Sequence, residues 1–148
     1  MYKRILVPLD GAKRSEAILP QVESLAHQFG ASIILLEVLE PPPQHAAAVA
    51  PDLLKAGVSQ RATEIRRYVH EVQERLTARG LTAGAVVTQG PVVDTILTVA
   101  KNEKVDLIAM ASHGYTGLAR FLHGSVAAEL LHRARTPLLI LHTDEEEA

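Results

Sequence analysis

Five short apolar runs, separated by stretches whose apolar residues recur every three or four positions, set the limits on what this chain can fold into. The first run, Arg4 to Leu9, is apolar at nearly every position and stops at Asp10-Gly11, a turn pair. It reads as a strand buried on both faces. Ile18, Val22, Leu25 and Phe29 then mark one face of a helix, with Gly30 suited to close it. Ser15 is a candidate N-cap for that helix. Pro20 lies too deep for that start, so the helix either begins later or bends there. Ala31 to Leu39 is the second strand, stopped by Pro41-Pro42-Pro43. The stretch from Pro41 to Gly57 is rich in Pro and Ala and reads as a surface loop running into a weak helix start. Val58, Ala62, Ile65, Val69, Val72 and Leu76 carry a long helix, supported by Glu71 and Arg75 one turn apart. Leu81 to Thr88 is a weaker strand, and Pro91 opens a helix bearing Val92, Val93, Ile96, Leu97 and Ala100. Val105 to Met110 is the fourth strand. A loop from Ala111 to His123 follows, then a helix expected to begin near Gly124-Ser125, then a fifth strand, Pro137 to Leu141.

Strands alternating with helices require right-handed crossovers, hence a parallel sheet covered on both faces. The expected fold is three-layer α/β/α around an open five-stranded parallel sheet, strand order 3-2-1-4-5. Composition agrees. Aromatic residues are 3% and Trp is absent, so the core must be aliphatic, as a doubly covered sheet prefers. A single domain, 1–143, and an acidic tail, 144–148, are expected. Cysteine is absent, which removes disulfides and thiolate chemistry and fits a reducing compartment. Neither a signal-peptide core nor an apolar run of membrane-spanning length is seen, and the cytoplasm is the expected location. A net charge of −2 with interspersed signs and few aromatics argues against a nucleic-acid surface.

In an open doubly wound sheet, ligands gather outside the carboxyl ends of the strands where strand order reverses. Asp10 stands at one such end and the loop from Ala111 to Gly117 at another. Gly114 and Gly117 let backbone amides approach an anion closely, or they simply form turns. Gly124-Ser125, opening a helix, would present unpaired amides and a hydroxyl to a phosphate, or Ser125 would be a plain N-cap. Asp10 suits a ribose hydroxyl, a phosphate-bound Mg²⁺, or a structural turn. Walker A, G-x-G-x-x-G after the first strand, and G-x-S-x-G are all missing, and the third strand ends at Gln89-Gly90 without the acid of a phospho-receiver. The histidines, among them His113, His123, His132 and His142, lack metal-ligand spacing.

Ile5 to Gly11 followed by Ser15-Glu16-Ala17, Val105 to Gly114, Gly124-Ser125-Val126-Ala127 and Thr136 to Ile140 together resemble the universal stress protein family across the whole chain. The resemblance implies a Rossmann-like adenine-nucleotide-binding fold and a homodimer. Nucleotide-binding members carry G-x-x-G, nine residues, then G-[ST]. Here Gly114, the nine residues Tyr115 to His123 and Gly124-Ser125 match, while Ala111 replaces the first glycine. The resemblance further implies that Pro8, Leu9 and Asp10 flank adenine and ribose, and that Val38 meets adenine through its backbone. Gly114, Gly124, Ser125 and Val126 would meet phosphate or ribose, with Ala111 lying against the nucleotide. ATP, with ADP or AMP as alternatives, is the implied ligand, with Mg²⁺ at Asp10. Ala12 is a second departure, where many relatives have Ser.

Three functions are consistent with these residues. The first is an ATP-binding regulator of stress responses, acting with a protein partner that the sequence does not name. The second is a dimeric scaffold that has lost nucleotide, motivated by Ala111 and Ala12. The third is an ATP-using enzyme, for which no general base is visible. The last strand, Pro137 to Leu141, is apolar on both faces at a sheet edge, and an antiparallel homodimer through it is expected.

Overall fold

A computed structural model describes residues 1–41, 51–114 and 118–144; for 113, 114, 118–125 and 144 the backbone alone is described. The elements run β1 (Arg4–Leu9), a 3₁₀ turn (Lys13–Ile18), α1 (Leu19–Phe29), β2 (Ser32–Leu39), α2 (Pro51–Ala78), β3 (Ala83–Gln89), α3 (Val92–Asn102), β4 (Leu107–Gly114), α4 (Leu118–Arg133) and β5 (Leu138–Asp144). The strands form one parallel sheet in the order β3-β2-β1-β4-β5. Strand order therefore reverses beside β1, between β1 and β4.

Side-chain alternation along the strands builds two cores. Ile5, Val7 and Leu9 of β1, Ile33 and Leu35 of β2, and Ala109 and Ala111 of β4 face α1 and α2, meeting Val22, Val69, Val72 and Leu76. Leu6, Leu36, Ile108 and Met110 face α3 and α4, meeting Val93, Ile96, Ala127 and Leu130. β3 is half exposed, as an edge strand is.

The two options left by Pro20 resolve in favour of a later start. Lys13–Ile18 winds as a 3₁₀ turn, and α1 begins at Leu19 with the proline in its first turn, where the missing N–H costs nothing. Gly30 closes α1 at φ 66°, a left-handed cap. Ser15 is not a helix N-cap: its hydroxyl is buried and donates to the Ala12 carbonyl at 2.8 Å.

Several boundaries differ from those expected, among them the end of β5, which runs past Leu141 to Asp144. α2 already begins at Pro51, so Pro51–Gly57 is helix rather than loop, while 42–50 lie outside the described residues. β4 does not stop at Met110 but continues to Gly114, because β5 supplies partners for the whole length, Ala111 opposite Leu141 and Gly114 opposite Asp144. α4 begins at Leu118 rather than near Gly124. Asp144 ends β5, and the rest of the expected tail, 145–148, lies outside the described residues. Among the described residues no helix is long and apolar enough to cross a membrane.

Candidate functional site

At the reversal point the carboxyl ends of the strands open into a cleft of about 1120 Å³. Its floor is the tips of β1, β2 and β4. Leu53, Leu54, Gly57, Val58, Arg61 and Ile65 of α2 form one wall, and Val92 and Ile96 of α3 contribute to the other. Pockets of this kind, apolar with a few convergent polar groups, are where small ligands are ordinarily held.

The turn after β1 is held by its own bonds. The Ala12 N–H donates to Asp10 Oδ1 at 2.8 Å, and the Asp10 N–H reaches the Ser15 hydroxyl at 3.4 Å. Gly11 takes φ 84°, a conformation that side chains disfavour. This small knot fixes where the exposed Asp10 carboxylate stands at the cleft mouth. The other side of the floor is set by Gly90, whose N–H donates to the Leu39 carbonyl at 3.0 Å and so ties the tips of β2 and β3 together.

Of the residues singled out in the sequence, Pro8, Leu9, Asp10, Val38, Ala111 and Val126 all line this cleft, drawn from β1 and the turn after it, β2, β4 and α4. Ala111 is buried in strand β4, and Lys104 alone among the described non-glycine residues has positive φ. Its backbone thus lies where any residue can sit. Gly114, Gly124 and Ser125 are placed only as backbone. Gly114 pairs with β5, and because α4 starts at Leu118, Gly124 and Ser125 are its seventh and eighth residues. Their amides fall in the helix interior, past the first turn where N–H groups lack helical partners. The expected cradle of open amides at Ser125 is therefore corrected: helix α4 itself occupies that position.

Two residues not singled out in the sequence complete the site. Glu37 of β2 is 4% exposed, and among the described residues its Oε2 finds no hydrogen-bond partner. Burial, with the Asp10 carboxylate adding to it, pushes the Glu37 carboxyl up to about 7, and the Arg61 guanidinium pulls it partly back. Glu37 was legible as the charged residue at the inward-facing position after Ile33 and Leu35, since acids are almost never buried without cause. Arg61, on the exposed side of α2, gave no such sign. With Arg14 it brings positive charge to a lining that also holds Asp10, Glu37 and Glu40.

A family model described as the universal stress protein family matches residues 1–142. The chain belongs to this family. Among curated relatives, universal stress protein Rv1636 of Mycobacterium tuberculosis is 32% identical over 148 aligned residues, covering 96% of this chain and 97% of that protein. Among solved structures, MJ0577, a universal stress protein of Methanocaldococcus jannaschii, superposes with a TM-score of 0.80 at 25% identity, each chain covered to 97%. A universal stress protein solved in complex with cAMP superposes at 0.70 with 24% identity, covering 96% of this chain and 98% of that one. The fold of this universal stress protein and its strand order are those of these neighbours.

Proposed function

We propose that this universal stress protein binds an adenine nucleotide, ATP with Mg²⁺ foremost, in the cleft at the carboxyl ends of β1, β2 and β4, and acts as a homodimeric regulator rather than a turnover enzyme. One observation carries it: Pro8, Leu9, Asp10, Val38, Ala111 and Val126, six residues matched to the family's nucleotide positions, line a single cleft. A neighbour of the same fold holds cAMP, so this architecture accepts an adenine nucleotide in that protein. Arg14 and Arg61 supply positive charge for phosphates. Among the described residues no group of three or more metal-binding side chains exists. Mg²⁺ would be carried by the nucleotide's own phosphates, with Asp10 beside the ribose. Bound there, the ion would offset phosphate charge next to Asp10, Glu37 and Glu40.

Titration of the purified protein with ATP by calorimetry, with and without Mg²⁺, tests the proposal. A saturable heat, competed by ADP or AMP, is expected; no heat and no competition overturns it. A second reading, a dimeric scaffold without nucleotide, draws on the placement of Gly124 and Ser125 inside α4 and of Gly114 in the β4–β5 ladder. A flat titration with Mg²⁺ present is its expected result.

A further inference from the structure

A buried carboxyl oxygen without a partner is expensive, and native proteins keep few of them. Among the described residues, Glu37 Oε2 is such an atom. No core requirement explains an acid there. The same face of β2 presents Ile33 and Leu35, and the register places Glu37 beside Leu9 of β1. An aliphatic residue would continue that packing.

The location of the carboxyl is well defined. A methyl group added to Gly11 would come within 3.1 Å of Glu37 Oε1, so the carboxyl lies against the Asp10–Gly11 turn. Glu37, Asp10 and Val38 line one cleft. The carboxyl thus adjoins the residue that the family resemblance sets against ribose, and it follows that a vicinal diol held by Asp10 would have a second acceptor beside it.

Resting on the nucleotide-binding reading above, we propose that Glu37 is a specificity-determining residue of the cleft, its carboxyl accepting a hydrogen bond from a ribose hydroxyl of the bound nucleotide. A hydroxyl suits the site better than a metal ion would. A carboxyl retains an acceptor oxygen whether or not it carries a proton, so the contact survives either state. A site built to bond a hydroxyl rejects an analogue lacking it far more strongly than an apolar site could, because its polar atom is then left bare again.

The test compares ATP, 2′-deoxy-ATP and 3′-deoxy-ATP by calorimetry on the wild-type protein, Glu37→Leu and Glu37→Gln. The wild type is expected to bind ATP at least about ten-fold more tightly than one of the deoxy analogues. Glu37→Leu should bind ATP and that analogue within about two-fold of each other, while Glu37→Gln, which keeps an acceptor oxygen, should retain most of the preference. Equal affinities in the wild type overturn the proposal without any variant. So does a preference that persists undiminished in Glu37→Leu, which would assign the discrimination to Asp10 alone. ATP binding with either of those results leaves nucleotide binding intact and removes only the role of Glu37. No binding of ATP by the wild type removes both.

Discussion

Glu37 also ties the stability of the fold to pH. In the unfolded chain its carboxyl ionises near 4.5, whereas in the folded chain it holds its proton until about 7. Between those values the folded state binds more protons than the unfolded one, so stability falls as pH rises through that window and is level above it. The charged and titratable groups facing Glu37 are Asp10 from the β1 turn, and Arg61 and Tyr68 from α2. Arg61 opposes the loss and Asp10 adds to it. The expected effect is about 1–3 kcal/mol lost between pH 5 and pH 8, which Glu37→Gln should largely abolish. Urea unfolding of both proteins at the two pH values measures it, and parallel curves for wild type and variant would show that Glu37 does not titrate in this range. At Ala111 the residue scale gives a different lesson. The sequence marks it as a departure from glycine, yet in β4 its methyl joins the core facing α1 and α2, and its backbone needs no glycine.

Among the elements, those set by periodicity were readable in advance and those set by partners were not. β1, β2, α1 and α3 carry patterns of their own, and so does the strand order, because alternating strands and helices leave few topologies. The extension of β4 to Gly114 rests on β5 lying alongside, and nothing local in Ala111-Ser112-His113-Gly114 announces it. The start of α2 at Pro51 likewise has no local apolar period behind it. The cleft was legible where strand ends or the family likeness pointed, and at Glu37 only through the rarity of an acid at an inward-facing strand position. α2 illustrates how far packing governs an element. Its second half buries Val69, Val72 and Leu76 and is bound to the 3₁₀ turn by Glu16, which accepts from the Tyr68 hydroxyl at 2.7 Å and from Arg75 Nη2. Burial and that hydrogen bond raise the Tyr68 phenol well above its ordinary range. Its first half, almost wholly exposed, stands over the cleft. Glu16 is 14% exposed in its side chain, so Glu16→Ala, which strips a partly buried phenol and a guanidinium of their acceptor, is expected to cost about 1–3 kcal/mol. Arg79→Ala, which breaks the pair with Glu23 from a 63% exposed arginine, should cost less than about 1 kcal/mol. Chemical denaturation of the two variants checks the order, and equal losses would mean that Glu16 contributes no more than a surface charge.

The whole molecule leaves two sheet edges, β3 and β5, and they differ in what they offer a partner. β3 begins Ala83-Gly84-Ala85, with two of its first three residues exposed, and has little apolar surface to bury. β5 carries Leu138, Leu139, Ile140 and Leu141 in succession, all only half buried although two of them belong to each core. Edges of that kind recruit other strands unless charge or proline blunts them, and those four positions contain neither. A second copy related by a two-fold axis brings an identical strand in antiparallel, a self-complementary pairing that closes after two chains. We therefore expect a homodimer joined through β5, the edge strand beside β4. Light scattering at micromolar concentration should give twice the 16.0 kDa chain mass. Hydrogen exchange should show protection of the 138–141 amides that falls on dilution, while the β3 amides stay indifferent to concentration. A one-chain mass at all concentrations, with β5 exchanging as freely as β3, would mean that half-buried leucines at this edge are held by α4 and the 3₁₀ turn alone.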